Sequence, residues 1–175
     1  FLSSLVAIIM LMAGEELKAL IFFLLGGFAT SSWYTTWVSI ACIPLAALFA
    51  AYFAADLNVL LLGEETAASS GIRPRQIQLL YAVIAALLTS ISVSVAGLIG
   101  FVGLIVPHMI RLTCGADHRT LFPLTFFTGG IFLVLCDAAA RTIMAPAELP
   151  VGIVTSLVGV PIFLYLIRNE SSDLG

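Results

Sequence analysis

Charged side chains are scarce in this chain of 175 residues. Lysine, arginine, aspartate and glutamate make up 10% of it, whereas a soluble domain carries roughly 25%. Hydrophobic residues reach 61%, and the mean hydropathy is +1.16. So few charges cannot cover a folded chain with polar surface, and lipid must therefore be the solvent for much of it. The shortage excludes an ordinary soluble domain and indicates a membrane protein.

Motifs for metal or nucleotide binding are also missing from the sequence. Cys42, Cys114 and Cys136 are single and far apart, so we expect small buried residues and no paired ligands. His108 and His118 lack a nearby third ligand for zinc. The sequence contains no G-x-x-x-x-G-K-[ST] loop for binding nucleotide phosphates. It also contains no run of basic residues that could bind along the phosphate backbone of a nucleic acid. We therefore assign no catalytic residue, metal, cofactor or nucleic-acid partner to this chain.

Long runs without charged residues make up most of the sequence. They lie between Lys18 and Asp56, Arg75 and Arg111, Arg119 and Asp137, and Glu148 and Arg168. About 20 apolar residues cross a bilayer as a helix, and lipid does not tolerate unpaired backbone groups. The runs do not alternate as strands of a membrane barrel would. We predict an all-α polytopic transmembrane bundle with about six membrane segments, the first of them truncated.

Glycines and polar residues divide these runs into separate helices. The prediction is a truncated span over 1–13, a surface helix over 14–25, and spans over 33–55, 76–96, 103–114, 121–143 and 150–168. The abrupt apolar start indicates that 1–175 is one transmembrane domain of a larger protein. Gly97, Gly100 and Gly103 recur at three-residue spacing, which predicts close packing of the short segment that follows.

The basic residues predict the orientation of the bundle. One side receives the arginines at 73, 75, 111, 119 and 168, and the other receives Lys18 and Arg141. Because cytoplasmic loops carry an excess of Lys and Arg, the first side is expected to be cytoplasmic.

Three long motifs resemble a known family. They are LNVLLLGEETAASSGI at 57–72, GLIGFVGLIVPHMIRLTCGADHRTLFPL at 97–124 and DAAARTIMAPAELPVGIVTSLVGVPIFLYLIR at 137–168. In this order they resemble the C-terminal half of the permease subunits of FecCD-type (type II) ABC importers. The resemblance implies import of an iron-siderophore, haem or vitamin B12 across the prokaryotic cytoplasmic membrane. It also implies a second permease subunit, two cytoplasmic ATPase subunits that bind Mg-ATP, and an extracytoplasmic substrate-binding protein.

Two other functions remain open at this stage. A permease for free metal ions such as zinc or manganese would need His, Asp or Glu lining a span. A membrane scaffold without a transport path would show the same composition, and co-purification with an ATPase subunit would separate it from a transporter.

The cytoplasmic segment 57–75 is the first candidate site. Its small and acidic residues are typical of a short helix that docks in a groove of another protein: Gly63, Glu64, Ala67, Ala68 and Gly71. From spacing alone an ordinary solvated loop is the alternative. The resemblance implies that this segment contacts the ATPase. It implies the same contact for the turn with Arg111, Asp117, His118 and Arg119. The alternative is that the basic residues only interact with the dipole at the C-terminus of their helix.

The second and third candidate sites lie in the last two helices. Asp137 and Arg141 are four residues apart, which predicts an ion pair on one helix face, and the resemblance implies that Arg141 receives an acidic residue of the binding protein. Polar residues inside the bundle are candidates for the translocation path. The resemblance favours Thr155 and Ser156, with Gly152 giving room, although such hydroxyls often serve only in helix packing.

Overall fold

The computed structural model describes residues 1–28, 31–143, 145 and 148–173, with side chains described outside 5–13, 15–16, 18, 167 and 169–173. This part of the chain is helical and contains no strand, so the predicted all-α class is confirmed. The helices are α1 (Leu2–Leu25), α2 (Trp33–Tyr52), α3 (Ala54–Leu60), α4 (Glu64–Ser69), α5 (Pro74–Ala96), α6 (Val102–Cys114), α7 (His118–Ile143) and α8 (Val151–Asp173).

Local sequence explains where several helices start. At α2 the Ser32 hydroxyl accepts the Thr35 N–H while the Thr35 hydroxyl accepts the Ser32 N–H, which satisfies both amides. Pro74 begins α5, where its missing N–H costs nothing. α7 begins at His118, before the predicted residue 121, because the Asp117 carboxylate accepts the Arg119 N–H at 2.9 Å.

Helix lengths agree with a membrane-embedded bundle. Among the described residues, three helices are long and apolar enough to cross a membrane, namely α2, α5 and α7. α6 has 13 residues and is therefore about 20 Å long, short of a bilayer core of roughly 30 Å. The boundary predicted at residue 14 lies inside α1, where Gly14 has φ 48° and ψ −122° and interrupts the helical geometry.

The helices meet at two opposite ends of the bundle. The arginine-rich end contains α3, α4, the start of α5, the end of α6 and the start of α7. The other, called here the Arg141 end, contains the end of α1, the end of α5, the end of α7 and the start of α8. There the Gly27 N–H donates to the Ala96 carbonyl at 2.8 Å, and the Leu98 N–H donates to the Phe23 carbonyl at 2.9 Å.

The buried core is small and lies where α6, α7 and α8 meet. One cluster consists of Cys136, Ala140, Val151 and Val154, and a second of Val106, Ile110 and Leu121. Phe132 packs against both. Large apolar side chains cover much of the outside, as a lipid-facing surface requires. The cysteines were expected to be buried, but only Cys136 is; Cys42 is partly buried and Cys114 is exposed.

The glycine row behaves differently from the prediction. Gly97 has φ 66°, and a Cβ there would lie 2.5 Å from the Phe23 carbonyl oxygen, so α1 approaches the backbone closely at this point. A Cβ on Gly100 or Gly103 would meet nothing within 4 Å. Among the described residues, the predicted close packing is therefore present at Gly97 and absent at Gly100 and Gly103. Spacing alone does not show which neighbour each glycine faces.

Candidate functional site

The segment predicted to dock on a partner forms the short helix α4 at the arginine-rich end. Gly63 precedes it with φ 106°, a conformation that favours glycine. Gly71 follows with φ 82°. The Ile72 N–H donates to the Ala67 carbonyl and the Gly71 N–H to the Ala68 carbonyl, both at 3.1 Å, which closes the helix with a Schellman motif. The two glycines therefore set the start and the end of α4.

The two faces of α4 have different roles. Ala67 is fully buried, and α4 packs on α3 and α5, so this side chain faces the bundle and is not available to a partner. Ala68 is exposed, as are Glu64 and Glu65. The Gln78 amide donates to Glu64 Oε1 at 3.1 Å, which ties α4 to α5.

Two leucines next to α4 extend its exposed face. Leu61 is 61% exposed and Leu62 is 70% exposed, in the turn between α3 and α4. We name the surface formed by Leu61, Leu62, Glu65 and Ala68 the α4 surface. Helix-in-groove binding uses apolar anchors, and exposed leucines beside a short helix are side chains of that type. Both leucines lie within the sequence motif at 57–72, but the pattern of small and acidic residues did not identify them as candidate binding residues.

A polar cluster joins the two segments predicted to lie near the ATPase. Asn58 Nδ2 donates to Asp117 Oδ1 at 2.6 Å, and the His118 N–H donates to Asn58 Oδ1 at 2.9 Å. His118 Nδ1 lies 2.8 Å from the same oxygen. Asn58 is on α3 and was not selected from the sequence, since a lone asparagine at a helix end carries no distinguishing signal. Arg111 and Arg119 are exposed beside this cluster.

The Asp117 carboxylate is held in its ionised form. The Arg119 N–H contributes most to lowering its pKa, and the Asn58 amide contributes next. Because the pKa is lowered in the folded chain, the stabilisation is present above the unfolded pKa and is lost as the pH falls through the folded one. The cluster is therefore intact at neutral pH and weakens only in acid.

At the Arg141 end the predicted ion pair is present with a third member. Arg141 Nε donates to Asp137 Oδ2 at 2.8 Å, and Arg141 Nη1 lies 3.9 Å from Glu148 Oε1. The Arg141 side chain is 47% exposed. Two acids therefore contact a guanidinium that keeps about half of its side-chain exposure. Glu148 was not predicted as a partner because it lies beyond the end of α7.

The residues predicted to line the path divide into packing and cleft positions. Thr155 is fully buried, and its hydroxyl donates to the Gly152 carbonyl at 3.2 Å. The Ser156 hydroxyl donates to the same carbonyl at 2.6 Å. A Cβ on Gly152 would overlap the Leu25 carbonyl, so this glycine permits close contact between α8 and α1. A role of Thr155 in transport stays a prediction, since the observed contacts of its side chain describe packing.

A cleft of about 420 Å³ lies beside these residues at the Arg141 end. Ser156, Gly152 and Gly100 line it together with Thr89, which is exposed there. Apolar residues of α1, of α5 and of the segment just after α5 complete its wall. Thr89 was not selected from the sequence, because it is one of several hydroxyl residues along α5.

Comparison with known proteins decides the family. The FecCD transport family is matched by residues 1–169. The chain belongs to the FecCD transport family. The resemblance read from the three motifs is thereby confirmed.

Two curated permease proteins are similar to this chain over most of its length. It is 40% identical over 158 residues to the cobalamin import system permease protein BtuC of Halobacterium salinarum, covering 90% of this chain and 42% of the relative. It is 40% identical over 156 residues to the hemin transport system permease protein HmuU of Yersinia pestis, covering 89% of this chain and 47% of the relative. The chain thus spans about half the length of the relatives it matches.

A solved structure has a similar arrangement of helices. It is an ABC transporter of the metal-chelate type in an inward-facing conformation, with a TM-score of 0.79 and 32% sequence identity. The match covers 95% of this chain and 55% of that one. With its three membrane-length helices, this FecCD-family chain is a multi-pass membrane protein.

Proposed function

We propose that the permease represented by residues 1–175 is the membrane subunit of an ATP-driven importer for a chelate of the iron-siderophore, haem or cobalamin type. Support comes from relatives whose names state cobalamin import and hemin transport. The whole chain is one transmembrane permease domain in this proposal and corresponds to the C-terminal half of the relatives. It translocates the chelate and is not itself the ATPase.

The α4 surface carries this proposal. An exposed short helix with two exposed leucines at the arginine-rich end is a binding surface for another protein, since lipid-embedded helices do not need it. Two cytoplasmic ATPase subunits would dock there and bind Mg-ATP, one on each of two permease subunits. The excess of arginine at this end supports a cytoplasmic location in a prokaryotic cytoplasmic membrane.

The Arg141 end would face the substrate-binding protein. Arg141 offers a half-exposed cation that Asp137 and Glu148 hold in place, so an acidic residue of a partner meets a preorganised guanidinium. The cleft that Ser156, Thr89 and Gly100 line lies at the same end and supports entry of the chelate there.

Reversing the charge at Arg141 is expected to weaken binding of the substrate-binding protein. A rim charge acts mainly through the association rate and its salt dependence, so Arg141→Glu should slow association at low salt and lose its effect at high salt. The fold should persist, because an exposed ion pair contributes only about 0.2–1 kcal/mol. Binding kinetics on the purified complete transporter provide the measurement.

Asp137→Asn is the matched control for Arg141→Glu. It keeps a hydrogen-bond acceptor for Arg141 and leaves the guanidinium available, so binding should be as fast as in the wild type or faster. If both variants instead lower the yield of folded permease while the surviving protein binds normally, the ion pair serves only the fold.

Transport by the complete complex tests the proposed function. The full permease, its ATPase and its binding protein are reconstituted in liposomes, and uptake of labelled cobalamin, haem and a ferric siderophore is measured with ATP and with a non-hydrolysable analogue. We expect ATP-dependent uptake of one of the three. Uptake of free zinc or manganese instead of a chelate would show that the substrate is a metal ion. A full permease that co-purifies from cells with no ATPase subunit would favour a scaffold.

A further inference from the structure

Asn58 connects two parts of the chain that lie far apart in sequence. It is on α3, and its amide group bonds Asp117 and His118 at the start of α7, across about 60 residues. The oxygen and the NH₂ group of the Asn58 amide cannot exchange places. The His118 backbone N–H is always a donor, so it requires the oxygen of the amide, and the ionised Asp117 carboxylate requires the NH₂ group. All three contacts are 2.9 Å or shorter.

The position of Asn58 relates it to the α4 surface. α4 packs on α3 and α5, and α3 in turn contacts α7. α7 packs against α6 and α8, which form the core of the bundle. The hydrogen bonds of Asn58 thus join α3, on which α4 packs, to the start of α7.

Asp117 has two functions in this contact. The Oδ1 atom that accepts the Asn58 amide also accepts the Arg119 N–H in the first turn of α7. A displacement of α3 therefore acts directly on the N-terminus of α7 rather than on a flexible loop. Phe122 packs on His118 one turn further along, with ring centroids 5.7 Å apart, and extends the contact into the bundle.

We propose that Asn58 is a positioning residue that couples movement of the α4 surface to α7. The proposal rests on the proposed function, because it assumes that an ATPase docks at α4. Asn58 does not touch the ATPase in this proposal; it makes α3 and the start of α7 move as one unit when the ATPase subunits close on ATP.

Two single variants break the contact in different ways. Asn58→Leu keeps the size of the side chain and removes every hydrogen bond. Asn58→Asp keeps the acceptor for His118 but places a second carboxylate against Asp117. In the complete transporter, both should retain the ATPase subunits and basal ATP hydrolysis. Both should lower the amount of substrate transported per ATP hydrolysed by about tenfold, which is within the range of coupling between two sites.

A double variant provides the matched rescue. Asn58→Asp combined with Asp117→Asn exchanges the two groups, so that an amide at 117 donates to a carboxylate at 58. In the wild type one oxygen of Asp117 makes both contacts, so the amide at 117 must turn until its NH₂ donates to the carboxylate at 58 and its oxygen accepts the Arg119 N–H. Asparagine caps a helix start about as well as aspartate does, so α7 can keep its cap. Transport per ATP should return toward the wild-type value. A folded double variant that performs no better than Asn58→Asp, or an Asn58→Leu variant that transports normally, would overturn the proposal.

A second measurement separates this proposal from the choice of substrate. A polarity-sensitive dye on Ile143→Cys, at the end of α7, reports the response to ATP in a background whose native cysteines are replaced by alanine. We expect the wild-type response to disappear in Asn58→Leu. If the wild type responds to ATP but transports no chelate, only the proposed substrate is refuted. If Asn58→Leu responds as the wild type does, the positioning role is refuted whatever the substrate is.

Discussion

Gly152→Ala is expected to destabilise the permease by about 1–3 kcal/mol, as overpacking of a well-packed interior does. The added Cβ would overlap the Leu25 carbonyl oxygen, and Leu98 contributes a second carbonyl nearby. Backbone atoms cannot rotate away as the end of a flexible side chain can, so α8 must shift away from α1. Gly152 lies in a helix, so alanine adds no backbone strain of its own and the effect is steric.

Gly130→Ala is the matched control, because Gly130 also lies inside a helix but a Cβ there meets nothing within 4 Å. Alanine at an open helical position should be neutral or stabilising by up to about 1 kcal/mol. Thermal unfolding of the complete permease in detergent compares the two variants. Equal stability of Gly152→Ala and the wild type would show that the close approach of α8 to α1 is not tight.

Leu62→Glu is expected to weaken binding of the ATPase at least about 30-fold, since central apolar anchors of an interface contribute 2 kcal/mol or more. Leu62 is 70% exposed and precedes α4, so the substitution leaves the packing of the bundle intact. Desolvating a carboxylate in an apolar groove is unfavourable, and the interface would open. Affinity of the purified ATPase for the permease measures the effect, and stimulated ATP hydrolysis should fall with it.

Leu62→Met is the control for Leu62→Glu, because it keeps an apolar anchor and should bind the ATPase normally. Ala68→Trp tests the same surface from α4 itself. Substitutions at Ala67 or Gly63 are less informative, because Ala67 is buried and Gly63 has a positive φ, so either would distort α4. Reduced membrane abundance with unchanged affinity would mean that Leu62 contacts lipid instead of a partner.

Features set by distance along a single helix could be predicted. Asp137 and Arg141 are four residues apart, and the helical period alone brings their side chains together. The short helix α4 followed from glycines that flank a small-residue segment, because glycine accepts the positive φ that ends a helix. Charge-free runs bounded by charged residues indicated the membrane spans, because the length of an apolar run is also a local property of the sequence.

Features that depend on which helices meet could not be predicted. Gly97 and Gly100 belong to the same three-residue repeat in sequence, yet only Gly97 lies against another backbone. Asn58 meets His118 only after α3 and α7 have packed together. Glu148 reaches Arg141 because the start of α8 turns back on the end of α7.

The sequence by itself determined that this chain is an all-α membrane protein, that it resembles FecCD-type permeases, and that a short helix before the arginines at 73 and 75 and an Asp137–Arg141 pair are present. Composition and local periodicity suffice for these features, since they depend on transfer to lipid and on the pitch of one helix. The tertiary structure decided that Ala67 faces inward, that Leu62 faces outward, and that Asn58 bonds Asp117 and His118. Those contacts arise from the packing of separate helices, which no local pattern specifies.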